Sequence, residues 1–371
     1  MNFAKLINNN YHLETILMNK ISRRVLLGLL PLGAFALTTS SYFYGSQDSL
    51  AQNTTGVLNL YSARHYDTDN SIYQSFTQKT GIKINLVEAD AAKLIERIKS
   101  EGANSPADVI LTVDAGNLYR AQESGILQPI RSRLLETRIP ANLREPSGYW
   151  FGLTKRARVI VYNKSKVNPS KLSTYEDLGS PKWRGKIIVR SSNNIYNQSL
   201  VASLVASIGA KNTETWVKGF VSNFARPPEG NDTAQIQAVA SGVADLALVN
   251  TYYVIRLAKS NKPDDQEVAS KIGIFFPNQN NRGTHINVSG AGVAKNAPNR
   301  LAAIKFIEHL TEYQSQQIFA LSNNEYPVLR GVPIEPILGG YGQFKEDEIN
   351  ASELGKNNRT ALQIMDRAGW R

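Results

Sequence analysis

Gly152-Leu-Thr-Lys-Arg-Ala-Arg-Val-Ile-Val-Tyr-Asn163 is the stretch on which the rest of the chain turns. It has no helical apolar spacing and ends in a β-branched run, so it reads as one long strand. On its N-terminal side, short apolar strands alternate with helices. Val57–Ala63, Lys83–Glu88 and Pro106–Val113 read as strands, and Thr68–Thr80 and Ala91–Glu101 as helices. On its C-terminal side the alternation resumes. Strand Lys186–Arg190, helices Asn197–Ile208 and Thr233–Ser241, and strand Ala244–Val249 form a second unit. Such alternation predicts βαβ units and parallel sheets.

A long strand between two α/β units is a crossing from one to the other. The segment Lys271–Pro277, an Asn-rich loop and Asn287–Val293 then read as the return crossing, followed by a helix at Leu301–Leu310. The predicted fold class is α/β: two lobes joined by two crossing strands, with the ligand cleft between them. The first lobe spans 52–154 and receives the return at 281–310. The second spans 155–280, and 311–371 supplies C-terminal helices that pack on the lobes.

The 371-residue chain has no cysteine, which removes thiolate metal sites, iron–sulfur clusters, disulfides and thiol nucleophiles. Ser22-Arg23-Arg24-Val25 leads into an apolar run too short to span a bilayer, and Ser49-Leu50-Ala51 offers small residues for cleavage. Residues 1–51 therefore read as a twin-arginine export signal, cut after Ala51; the alternative is an uncleaved N-terminal anchor. Without a cysteine there is no lipid anchor at the cut. Lys5, Lys20, Arg23 and Arg24 against Glu14 and Asp48 place +2 of the net +11 in that segment, leaving +9 for the rest. The basic residues are scattered among acids with no interleaved aromatic stripe, which argues against a nucleic-acid partner. A modest basic excess suits work near an anionic membrane.

The candidate site lies where strands end. Val-Leu-Asn-Leu-Tyr-Ser-Ala63 is followed by His65 and Tyr66. Tyr196 opens the helix after Lys186–Arg190. Tyr252 and Tyr253 follow the strand ending near Asn250, with Asn250 or Thr251 as the helix cap. Open α/β sheets hold their ligands at such ends. Any single tyrosine among the 16 is usually packing. Four of them with a histidine, at junctions in both lobes, suggest a shared site. Phenolates and an imidazole are suited to a hard cation such as ferric iron. Four phenolates and a neutral imidazole around Fe(III) leave one net negative charge, for which Arg156 and Arg256 are placed as counter-cations. The bland alternative for each arginine is a surface or interlobe ion pair. His285 and His309 stand alone and read as core or surface residues. No phosphate loop, nucleophile elbow or His-Glu-x-x-His occurs.

These residues resemble the ferric-iron-binding proteins of ABC importers, especially the FutA-type branch. The resemblance covers most of the chain beyond the signal. It rests on Leu60-Tyr-Ser-Ala-Arg-His-Tyr66, Pro106-Ala-Asp-Val-Ile-Leu-Thr-Val-Asp-Ala-Gly-Asn-Leu118, Lys182-Trp-Arg-Gly-Lys186 and Asn250-Thr-Tyr-Tyr253. The middle two segments recur in many solute-binding proteins; the paired tyrosines with an upstream His-Tyr are more specific. The resemblance implies a periplasmic binding protein type II fold. It also implies iron held by Tyr66 from lobe one and by Tyr196, Tyr252 and Tyr253 from lobe two. His65 corresponds to a fifth ligand in some members and to a residue behind the ligands in others. Arg156 and Arg256 match arginines behind the ligands, and closure without a carbonate anion is implied.

The resulting expectation is a monomeric periplasmic carrier, not an enzyme, that binds Fe(III), with Fe(II) possible, and delivers it to the ABC permease of an iron importer. Its rivals are the same fold binding an organic or oxyanion solute, an enzyme using a tyrosine as acid or base, and an intracellular iron-handling protein.

Overall fold

A computed structural model describes residues 56–64 and 66–371. The export signal predicted at 1–51 and the candidate ligand His65 lie outside the described residues. Among the described residues, ten strands form the framework. They are β1 Val57–Ser62, β2 Lys83–Glu88, β3 Val109–Val113, β4 Leu127–Gln128, β5 Phe151–Asn163, β6 Ile187–Ile188, β7 Leu246–Asn250, β8 Ile272–Phe275, β9 Ile286–Ala294 and β10 Tyr326–Pro327.

The long strand is present and changes sheets midway. Its first half, Phe151–Ala157, pairs antiparallel with β9. Its second half, from Arg158, pairs antiparallel with β7 on one edge and β8 on the other. The first sheet continues from β9 to β3, β1 and β2; the second continues from β7 to β6. The return runs from β8 through 276–285 into β9, so the chain passes between the sheets twice. Two α/β lobes are thus joined by β5 and by the β8–β9 segment.

The sheets are mixed rather than parallel. The β1–β2, β1–β3 and β6–β7 pairs are parallel, as helical crossovers require. The crossing strands enter antiparallel to β3 and β7 because they come from the opposite lobe.

The second sheet is covered on both faces, which its period-two burial reveals. Ile160, Leu246 and Leu248 enter one apolar core with Leu200, Leu204, Phe220 and Trp370. Val159, Val161, Ala247 and Val249 face the other way, into a core shared with Ile236, Val239, Val254 and Ile255. That second core continues through Leu60, Phe76, Ile110 and Phe306 of the first lobe. Burying each such side chain stabilises the fold by roughly 1.5–3 kcal/mol. The C-terminal helix Asn358–Arg367 packs on helices Ile195–Ile208 and Ala210–Ser222. Helix Ser352–Lys356 packs against Ala115–Glu123 and Ile195–Ile208, so the C-terminal segment touches both lobes.

Candidate metal centre

The two crossings bring the ends of β1, β3, β6 and β7 to one cleft. A cavity of about 560 Å³ lies there, and Tyr66, Tyr196, Tyr252 and Tyr253 all line it. Tyr66 precedes helix Asp69–Thr80, and its carbonyl accepts from Asp69 N at 2.9 Å. Tyr196 is the second residue of helix Ile195–Ile208. Tyr252 and Tyr253 are the second and third residues of helix Thr251–Ala258. Each of these tyrosines therefore lies at or just before the start of a helix.

Within lobe two the phenols are close. Tyr196 Oη and Tyr252 Oη are 3.5 Å apart. The Tyr252 and Tyr253 rings stack with centroids 4.2 Å apart. Tyr252 is only 3% exposed. Burial, reinforced by the oxygens of Tyr196, Tyr66 and Tyr253, pushes the Tyr252 phenol well above its ordinary value. Burial raises Tyr66 and Tyr196 too, against the pull of nearby arginines. These three phenols are neutral at pH 7 until something replaces their protons, and a polyvalent cation can do so. Among the described residues no group of three or more His, Asp and Glu could hold a metal. The hard oxygen donors that converge are phenols.

Arginines surround them. Arg64 stands 4.7 Å from the Tyr66 ring centre, and Arg156, Arg158 and Arg190 stand 5.6, 6.0 and 5.8 Å from that of Tyr196. Arg256 lies 5.6 Å from both the Tyr252 and Tyr253 rings and remains exposed at the cavity wall. Arg156 is fully buried and donates to Ser289 Oγ at 2.8 Å, Glu325 Oε1 at 3.0 Å and the Val288 carbonyl at 3.0 Å. Burial opposes its charge, yet Tyr196, Glu325 and Tyr252 raise its pKa above the ordinary guanidinium value. Arg156 thus forms a buried ion pair with Glu325, not a surface one, and lies beside the ring of Tyr196.

Five charged partners escape the sequence reading: Glu325, Arg64, Asp69, Arg158 and Asp232. Glu325, fully buried, joins Arg156 to Arg64 at 3.1 Å, and Arg64 reaches Asp69 at 2.8 Å. This chain fixes Tyr66 relative to β5. In lobe two, Arg158 donates to Asp232 at 2.9 Å, Asn197 Oδ1 at 2.7 Å and Asn250 Oδ1 at 3.3 Å. Asp232 also accepts from Asn250 N at 3.1 Å. Asn197 follows Tyr196 and Asn250 caps the helix of Tyr252, so one arginine holds both tyrosine-bearing helix starts. Asn250 is the cap residue, but its side chain serves Arg158 rather than the helix. Arg158 was detectable: it lies two residues from Arg156 on one strand face, in an otherwise apolar run. Glu325, in a loop far along the chain, carried no such signal. His285 and His309 are both buried core residues, at 2% and 4% exposure.

Comparison with known proteins establishes the family. A family profile described as bacterial extracellular solute-binding protein matches residues 71–341. Iron uptake protein A1 of Synechocystis sp. is 54% identical over 362 residues, covering 96% of this chain and 100% of the relative. Among solved structures, Trichodesmium FutA (IdiA) in complex with iron and citrate ligands is 64% identical with a TM-score of 0.84, over 85% of this chain and 100% of that one. Apo FutA2 from Synechocystis is 55% identical with a TM-score of 0.82, over 85% and 99%.

Proposed function

Since the chain belongs to the bacterial extracellular solute-binding family, in the group that contains the iron uptake proteins, we propose that it binds ferric iron outside the cytoplasm and carries it to an ABC importer. The observation that carries this reading is the single cavity lined by Tyr66 from one lobe and Tyr196, Tyr252 and Tyr253 from the other. Iron is the cargo, and no chemical transformation of it is part of the role.

Binding would proceed by exchange of protons for metal. Fe(III) replaces the phenolic protons of four oxygens, and the surrounding arginines offset the resulting negative charge. His65, beside Tyr66, is a fifth donor in this proposal. Because donors come from both lobes, spanning 52–154 with 281–310 on one side and 155–280 on the other, the metal is fully held only when the cleft is closed. Opening at the permease separates Tyr66 from the other three and releases the ion. Arg156 and Arg256 favour the closed anionic site. The twin-arginine signal at 1–51 would export the folded monomer, with cleavage after Ala51, to the periplasm.

The test is metal analysis of protein purified without added iron, then reloaded in air. One iron per chain with a red to orange colour is expected, because Fe(III)–phenolate bonds absorb visible light. A colourless protein holding stoichiometric zinc, or no metal, overturns the proposal and favours an organic or oxyanion solute in the same cleft. Cell fractionation tests the location; iron-loaded protein confined to the cytoplasm would contradict export.

A further inference from the structure

Asp114 stands apart from the phenols and arginines, yet its carboxylate touches three separate parts of the fold. It caps helix Ala115–Glu123 of lobe one, where Oδ1 accepts from Gly116 N at 2.7 Å. The same oxygen accepts from Ser199 Oγ at 2.6 Å, on the lobe-two helix Ile195–Ile208. Oδ2 accepts from Asn287 Nδ2 at 2.7 Å, on the crossing strand β9. Asn287 Oδ1 in turn accepts from Ala115 N at 3.0 Å, so the cap and the crossing strand hold each other reciprocally.

Three further features mark this junction. Asp114 has φ 75°, one of three non-glycine residues with positive φ among those described, a conformation that L side chains rarely adopt. Its side chain is fully buried, and no cation is hydrogen-bonded to it. Burial pushes it up to about 6, against the pull of Ser199, Gly116 and the more distant Arg156. Gly116 allows the close approach: a Cβ there would lie 3.1 Å from Asp114 Oδ1, 3.2 Å from Ile195 Cδ1 and 3.5 Å from Ser199 Oγ. A strained, buried carboxylate held by neutral donors is a costly arrangement, and here it joins two lobes beside their hinge.

We propose that Asp114 and Ser199 form an interlobe latch that positions the Tyr196 helix against lobe one and the crossing strand. Ser199 lies one helical turn beyond Tyr196, so breaking its bond to Asp114 frees the start of that helix to move away from Tyr66. As a device for placing Tyr196 in the metal site, the latch rests on the ferric-iron reading. As a device for holding the lobes together it does not.

The test therefore has two arms. Small-angle scattering of iron-free protein reads the latch without reference to cargo. Ser199→Ala removes the bond alone, and Gly116→Ala adds a methyl 3.1 Å from Asp114 Oδ1 and 3.2 Å from Ile195 Cδ1, crowding the latch itself at a position where alanine favours helix. Both are expected to increase the radius of gyration over the wild type. Radii equal to the wild type in both variants would overturn the latch, whether or not the protein binds iron. In the second arm, Fe(III) affinity is measured by competition with a chelator. Each variant is expected to bind about ten-fold more weakly, the scale of one lost hydrogen bond to a charged group. The visible band at saturation should stay as in the wild type, and the apo melting temperature should fall only by the modest amount that one lost buried hydrogen bond implies. Adding Ser199→Ala to Asp114→Ala should weaken binding no further. Wild-type affinity in Ser199→Ala, or fully additive losses in the double variant, would overturn the positioning role.

Discussion

Tyr252 and Tyr253 each present a ring that packs and an oxygen that faces the cleft. Phenylalanine at either position keeps the stacked pair and removes the donor. Tyr252→Phe or Tyr253→Phe should therefore cost much of the iron affinity and shift the visible band, while the apo melting temperature barely moves. His65→Ala removes a neutral donor and should cost less. Chelator competition on the three variants checks the ranking; loss of binding in His65→Ala with intact binding in Tyr253→Phe would reverse it. These phenols were legible because two adjacent tyrosines at a strand end, with an upstream His-Tyr, form an unusual local pattern. Glu325 was not, because what defines it is proximity to Arg64 and Arg156, residues far away in sequence. Two buried groups set opposing acid responses. His285 is lowered from 6.5 to about 3 by burial and by Arg158 and Arg282. The unfolded chain thus binds the proton first, and stability falls as pH drops below 6.5 toward 3. Asp114, raised from 3.8 to about 6, binds its proton first in the folded state and adds stability over 6 to 3.8. Asp114→Asn should therefore steepen acid destabilisation of the apo protein between these values, as urea midpoints would show. An unchanged slope would contradict the assignment.

At the scale of elements, β5 is the decisive piece, and the run that predicts it spans nearly the observed strand, Phe151–Asn163. Its Arg158 ties the starts of the two helices that bear lobe-two tyrosines. Replacing Arg158 by Met would leave Asp232 buried without its hydrogen-bonded cation, with only Arg190 at 3.7 Å to offset its charge. A loss of about 3–5 kcal/mol in denaturant stability is expected, together with weaker iron binding. A stability change below about 1 kcal/mol would mean that the pair is not the anchor inferred here. The helices that sequence reading did not pick out have physical reasons to be obscure. Ala115–Glu123 and Ala210–Ser222 carry internal glycines, Gly116 and Gly219, which lower the helical signal. Both glycines serve close packing: a Cβ on Gly219 would lie 2.5 Å from the Gly179 carbonyl oxygen. Pro263–Lys271 has no buried residue and hence no apolar stripe to read. The antiparallel entry of β9 beside β3 was equally hidden, since it depends on which lobe the chain returns to.

For the whole molecule, the proposed function makes iron binding, proton release and lobe closure one coupled event. Burial raises Tyr66, Tyr196 and Tyr252, so acid competes with iron for their oxygens and affinity should fall as pH falls. Iron retention followed by the visible band between about pH 8 and 4 should decline on acidification, and a flat profile would contradict proton exchange at the phenols. Scattering should show a smaller radius of gyration with iron than without it. Arg256→Leu removes an exposed cation from the wall of the anionic site and should weaken Fe(III). Whether phenolates from both lobes hold ferric iron can be read from resonance Raman spectra excited within the visible band of the loaded protein. Enhanced tyrosinate ring modes are expected in the wild type, diminished in Tyr66→Phe from lobe one and in Tyr252→Phe from lobe two. A loaded protein whose spectrum lacks tyrosinate modes, or whose modes survive unchanged in Tyr66→Phe, would contradict phenolate ligation from both lobes.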